Sequence, residues 1–346
     1  MKYIHFVGID VAKESLDICL SKGNEIVSQL RIENSPKQIS SLLKELRKHP
    51  EFLLATTLFC MEHTGIYNNH LLDTLHKNKC SLWLESAMQI KLSLGLQRGK
   101  SDKVDATRIA KYAYKNREVC KIWEPPREII TQLKNLLSLR DRLVATKKQL
   151  VQPLNENKNF VSKQNTKEHQ KLIGKVVNET ISAIKKTESS IDGVIRKDEY
   201  LNNLFNLITS VQGIGKIIAT NVIIRTNEFK NINDPKKFAC FIGVAPFEHS
   251  SGTSIRGRTR ISHIANKDLK TLFHLGAVVT LKLPGDLREY YERKVEEGKH
   301  KMNVINAIRN KLVHRVFAVV KRGTPYTKTK PVLGLNCSNV CSNLVN

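Results

Sequence analysis

The sequence predicts an α/β fold of ribonuclease-H type for its N-terminal third and a mainly α-helical remainder. Strand and helix signals alternate up to about residue 120, after an opening run of three strands. Acidic residues close two apolar runs, Tyr3-Ile-His-Phe-Val-Gly-Ile-Asp10 and Leu53-Leu-Ala-Thr-Thr-Leu-Phe-Cys-Met-Glu62. From about Arg127 onward, leucine and isoleucine fall at helical spacing instead.

Residues 3–10 read as a strand, and 15–21 and 25–32 as two more, with Asn24 at the turn of a hairpin. Ser35-Pro36 starts a helix, since proline at the first helical position loses no hydrogen bond. A strand over 53–61, a helix over 66–77, a strand over 81–85 and a helix over 102–115 complete the set. A three-strand meander followed by alternating helices and strands is the ribonuclease-H order. A Rossmann domain would open strand, Gly-rich turn, helix, and residues 8–14 lack that turn.

Leu136, Leu143 and Leu150 recur every seventh residue, with Leu133, Leu139 and Leu154 beside them. After a polar break over 155–170, Ile173, Val177, Ile181, Ile184, Ile191 and Ile195 resume the spacing. Two long amphipathic helices, an antiparallel hairpin or coiled-coil arm, are expected, packed on the chain's own core or on another copy. The expected domains are therefore 1–122 (α/β), 123–200 (arm), 201–326 (C-terminal, mainly helical) and a flexible tail over 327–346.

At 346 residues and 40% hydrophobic content, the chain can bury a sizeable core in more than one domain. Its 57 Lys and Arg against 32 Asp and Glu leave a net charge of +25, which calls for a polyanionic partner, most simply nucleic acid. A merely basic or ribosome-like protein is the bland alternative. The seven cysteines, at 19, 60, 80, 120, 240, 337 and 341, form no CxxC pair, as in a reduced cytosolic protein without a zinc knuckle. Asp10 interrupts the one apolar run near the N-terminus, so no signal peptide is expected. Neither is a membrane span, and a cytoplasmic, nucleoid-associated protein is expected.

Asp10, Glu62, Asp102 and Asp105 are the candidate metal ligands. The last two stand at i and i+3, on one face of a helix. Clustered carboxylates repel unless a cation compensates them, and Mg2+ prefers hard oxygen ligands from separate elements. Two such ions can activate a nucleophile and stabilise a leaving oxygen in phosphodiester chemistry. Acids favouring a helix N-terminus would account for Asp102 and Asp105 alone, but not for all four.

Ser210-Val-Gln-Gly-Ile-Gly-Lys-Ile-Ile-Ala219 has the form of a helix-hairpin-helix turn. There Gly213 and Gly215 would let backbone amides approach a phosphate, with Lys216 opening the next helix; a plain interhelical turn is the alternative. Farther on, Ser250, Ser251 and Ser254 lie in a Gly-containing loop before Arg256, Arg258 and Arg260, which would share one face of an extended chain; Lys267 follows. A serine nucleophile needs a base or a metal, and the spacing shows no triad. An ordinary polar loop is again the bland account, and the residues leave open which serine would act.

The motifs together resemble the IS-one-ten insertion-sequence transposases, relatives of the Piv DNA invertase and also called bridge-RNA-guided recombinases. The resemblance rests on Gly8-Ile-Asp10, Met61-Glu62-His-Thr-Gly65, Lys100-Ser-Asp-Lys-Val-Asp-Ala106, Gly213-Ile-Gly215, Gly243-Val-Ala-Pro246, Ser251-Gly252 and Ala307-Ile-Arg-Asn-Lys-Leu312. It implies a RuvC-like domain whose DEDD set is Asp10, Glu62, Asp102 and Asp105, holding Mg2+ or Mn2+ in its place. It also implies Ser251 as the nucleophile joined to DNA, a structured guide RNA pairing with element and target DNA, and a dimer or tetramer built through the arm. In Ile261-Ser-His-Ile-Ala-Asn266, Ala265 stands where that family usually has glycine. A RuvC-like nuclease using metal-activated water is the competing function, and a non-catalytic nucleic-acid-binding protein the third.

Overall fold

The computed structural model describes residues 3–93, 102–156, 160, 162–251, 255–261 and 265–327. The chain divides into two compact units, Met1–Pro125 and Pro126–Asn346.

The first unit is built on a five-stranded sheet: β1 (His5–Val11), β2 (Ser15–Lys22), β3 (Glu25–Glu33), β4 (Thr57–Glu62) and β5 (Ser81–Glu85). Its order is β3-β2-β1-β4-β5, with β1–β2 and β2–β3 antiparallel and β1–β4 and β4–β5 parallel. This is the ribonuclease-H-like arrangement. Helix α1 (Pro36–Leu46) starts as expected, Ser35 accepting from the Gln38 amide and Pro36 lying in the first turn.

Two boundaries differ from expectation, both through 3-10 turns. β4 begins at Thr57 rather than 53, because Leu54–Thr56 coils while the hydroxyls of Thr56 and Thr57 donate to the Leu53 carbonyl. Helix α2 (Asn69–Lys77) begins later than 66, because Gly65–Asn68 forms a second such turn. A short α3 (Ala87–Ser93) precedes α4 (Asp102–Lys115).

Strand alternation gives the sheet two faces. Val7, Ile9, Phe59, Met61 and Leu82 pack with Ile39 and Leu42 of α1 and Leu71 and Leu75 of α2. Phe6, Leu58, Cys60 and Trp83 pack with Ile109, Tyr112 and Ala113 of α4. Gly8 is what lets α4 lie against β1. A Cβ there would stand 2.2 Å from the Ala110 nitrogen and 2.3 Å from the Ala106 oxygen.

The second unit opens with α5 (Glu128–Glu156) and α6 (Lys163–Lys197), an antiparallel pair: Ile130 and Leu133 share a core with Ile191, Val194 and Ile195, and Arg140 Nε donates to Glu188 Oε1 at 2.9 Å. Much of the expected polar break is helical, since Ser162 caps α6 through the Asn165 amide. There follow α7 (Glu199–Thr209), α8 (Lys216–Thr226), α9 (Pro235–Phe241), the hairpin β6 (Pro246–Ser251) and β7 (Ile255–Ile261), α10 (Lys267–Lys282), α11 (Asp286–Glu296) and α12 (Lys301–Arg322). Phe238 is central to the core, its ring 6.1 Å from Phe273 and 5.3 Å from Phe317. No helix among the described residues is long and apolar enough to cross a membrane.

Candidate active site

Register, more than any single residue, builds the acidic site. Asp10 stands opposite Asp17 on β2, and Asp17 opposite Arg31 on β3. Ile9 pairs with Met61, which sets Asp10 at the level of Glu62, and Glu62 pairs with Glu85 on β5. One row across the sheet therefore reads Arg31–Asp17–Asp10–Glu62–Glu85, all on the face that packs against α4.

Glu62 and Glu85 are held by hydrogen bonds from their surroundings. Beyond Glu62, the buried Asn68 fixes the turn: its Nδ2 donates to the Glu62 carbonyl at 2.9 Å, and its Oδ1 accepts from Thr64 N at 2.7 Å. Glu85 accepts from Tyr112 Oη at 3.1 Å and from the Ser86 amide at 2.7 Å. Burial, then the charge of Glu85, pushes the Tyr112 phenol well above its usual pKa.

The structure places the other two predicted acids on α4. Asp105 accepts from Arg108 Nη1 of the same helix at 2.7 Å and is followed by Ala106, which Gly8 admits to the sheet. Asp102 opens the helix, and its side chain lies outside the described residues. Among the described residues no three His, Cys, Asp or Glu stand close enough together to hold an ion. The donor chemistry nonetheless fits a hard cation. Four neighbouring strands present carboxylates at one level, where like charges directly opposed are destabilising. Asp17, 3% exposed, carries a buried Oδ1 with no hydrogen-bond partner.

Sequence reasoning missed Asp17 and Glu85. Asp17 lies inside a strand rather than at its end, and only the pairing with Asp10 reveals it.

In the second unit Ser250 and Ser251 end β6, a correction to the expected loop. The physical cause is pairing with β7, where Arg256, Arg258 and Arg260 alternate with Gly257, Thr259 and Ile261. Ser250 stands opposite Arg256, Ser251 opposite Ile255 and Phe247 opposite Arg260. Ser254 lies outside the described residues.

The base of this hairpin is anchored by α12, where Asn306 Nδ2 donates to the Val244 carbonyl at 3.0 Å. One turn on, Arg309 is 7% exposed and donates to His274 Nδ1 at 2.7 Å. Burial and the neighbouring guanidinium hold His274 below its ordinary pKa.

The Gly213 turn joins α7 to α8. Gly213 has φ +90°, and a Cβ there would meet Thr280 Cγ2 at 2.4 Å and the Gly276 carbonyl at 2.7 Å. Its missing side chain thus admits α10. Gly215 caps α8 beside open space, and Lys216 Nζ lies 2.5 Å from Asp192 Oδ2. Lys267, exposed, begins α10 behind the Asn266 cap.

Comparison with known proteins matches both units. Residues 7–157 match the DEDD transposase model of IS110 elements, and 205–292 match a model described as the transposase IS116/IS110/IS902 family. The chain is 25% identical over 333 residues to the pilin gene-inverting protein of Moraxella bovis, covering 93% of this chain and 98% of that one. It is 24% identical over 152 residues to an uncharacterized 43.6 kDa protein of insertion element IS110 from Streptomyces coelicolor, covering 44% of this chain and 37% of that one. Thermus thermophilus RuvC, in its complex with a Holliday junction substrate, aligns over 35% of this chain and all of its own, with a TM-score of 0.27 at 15% identity. These family matches, over a ribonuclease-H-like sheet with acids at its strand ends and a helical second unit, make this a DEDD transposase, a DNA-processing enzyme. The chain belongs to the IS116/IS110/IS902 transposase family.

Proposed function

We propose that this transposase cuts and rejoins DNA through a covalent link to Ser251, assisted by carboxylates that hold a divalent metal, with a structured RNA choosing the sites. The observation that carries this is the row of acids facing α4, in a chain of net charge +25. Asp10, Glu62, Asp102 and Asp105 would hold the metal, Mg2+ or Mn2+ in its place. When bound, it would neutralise charge on a phosphodiester oxygen and favour the ionised nucleophile.

The chain's own residues do the rest. The Ser251 hydroxyl gives up its proton and bonds to phosphorus, while a sugar oxygen departs and takes a proton. Because the phosphodiester energy is kept in the serine ester, a second sugar hydroxyl can reverse the step and join a new strand.

Arg256, Arg258 and Arg260 would follow the phosphates at alternate positions of β7, with Lys267 beyond them. Of the α7–α8 turn, the open Gly215 end of α8 suits a phosphate better than Gly213, while Lys216 would have to exchange Asp192 for DNA. The α5–α6 pair is the surface through which copies would assemble, as a coiled-coil dimer or tetramer. RNA guidance rests on the family alone, and its test is copurification: nuclease-sensitive RNA should accompany active protein.

The experiment for the metal site uses Asp10→Asn. Magnesium-dependent strand cleavage should vanish while DNA binding in a mobility-shift assay stays near wild type. Undiminished cleavage would refute the assignment.

A further inference from the structure

Asp17 has a place in this site that its sequence context hides. It faces Asp10 directly across β1 and β2 and is 3% exposed. Its Oδ2 lies 3.7 Å from Arg31 Nε, a loose contact to a cation whose side chain is 55% exposed. Its Oδ1 is buried and makes no hydrogen bond. A partly solvated ion pair of that kind contributes about 0–1 kcal/mol. A buried acceptor without a donor costs roughly 1–3 kcal/mol, and more when charged. Directly opposed carboxylates add repulsion. Support for Arg31 is thus too small a return for burying this carboxylate. Because Oδ1 is closed to bulk solvent, the donor it needs must lie in the space between the sheet and α4.

We propose that Asp17 is a fifth carboxylate of the metal site, a positioning residue whose Oδ1 accepts a hydrogen bond from water in the shell of the ion held at Asp10. This rests on the metal reading given above. Divalent magnesium keeps several of its waters, and acceptors for the groups around an ion orient that shell. Arg31, at the far end of the row, competes with the ion for the same negative charge.

The test is Mn2+ binding to the full chain by titration calorimetry, with circular dichroism to verify the fold. Asp17→Asn, nearly isosteric, should weaken binding about 10-fold or more, in line with outer-shell substitutions elsewhere. Arg31→Gln, which leaves Asp17 intact, should tighten it. Asp10→Asn serves as the reference and should abolish it. If Asp17→Asn and Arg31→Gln both bind as wild type while Asp10→Asn does not bind, Asp17 is structural and the proposal is wrong. If Asp10→Asn binds as wild type, it is the underlying metal reading that fails. Should Asp17→Asn not fold, Arg31→Gln decides alone: tighter binding supports the proposal, and unchanged binding overturns it.

Discussion

Gly8 and Ala110 touch backbone to backbone: a Cβ on Gly8 would lie 2.2 Å from the Ala110 nitrogen. Two residues past Gly8 is Asp10, and one turn before Ala110 are Asp105 and Ala106. The helix that carries Asp105 is therefore seated on the strand that carries Asp10 by a contact that excludes even a methyl group.

Gly8→Ala should consequently displace α4 rather than merely crowd it. The clash is with backbone, so a cost of about 3 kcal/mol, the upper part of the range for overpacked cores, is expected. Urea denaturation checks the stability, and cleavage should fall further than stability explains because the carboxylates move apart.

Asp105→Asn should abolish strand cleavage and leave nucleic-acid binding nearly intact. It also removes the charge that Arg108 engages at 2.7 Å, a partly exposed pair of small energetic weight. Melting temperature should hence change little, and a large drop in calorimetry would recast Asp105 as a structural acid.

Arg127 bridges Asp198 and Glu228, whose side chain is fully buried. Arg127→Met leaves the buried Glu228 carboxylate with only Lys230 Nζ, at 3.6 Å, as a cationic partner; stripping a buried charge of its partner costs roughly 3–5 kcal/mol. The value should sit at the low end, since the Arg127 side chain is 36% exposed. Denaturant titration measures it, and Arg127→Met combined with Glu228→Gln should recover part of the loss.

His274 gives the second unit a pH dependence. Burial and Arg309 hold its folded pKa below the ordinary value, so the unfolded chain binds more protons in that window. The stabilisation is complete above the ordinary histidine pKa of about 6.5 and is lost as pH falls through the folded value. Melting temperature should decline from about pH 7 to pH 5. His274→Gln should flatten that slope, and His5, also held low by burial, gives the first unit a dependence of the same sign.

The sequence disclosed those features that punctuate it. Asp10 and Glu62 were legible because each ends an apolar run, and the ribonuclease-H order followed from strand spacing. Asp17 was not, because Leu16-Asp17-Ile18 reads as ordinary alternation until β1 and β2 are paired. Gly213 suggested a phosphate loop, whereas Gly276 and Thr280, far along the chain, take the room it leaves. Ser250 and Ser251 looked like loop residues because Gly252 breaks the pattern just after them, yet pairing with the arginine strand extends β6 through both. Local pattern reports elements; what meets across them depends on register and packing.

The central claim is that Ser251 bonds to DNA. The full chain, incubated with DNA of its element's ends, the element's structured RNA and Mg2+, is run on a denaturing gel. A protein–DNA adduct is predicted for wild type and for Ser250→Ala, and none for Ser251→Ala or Asp10→Asn. Cleavage that persists undiminished in Ser251→Ala, with no adduct in any lane, would contradict the account and make this chain a hydrolytic nuclease using water.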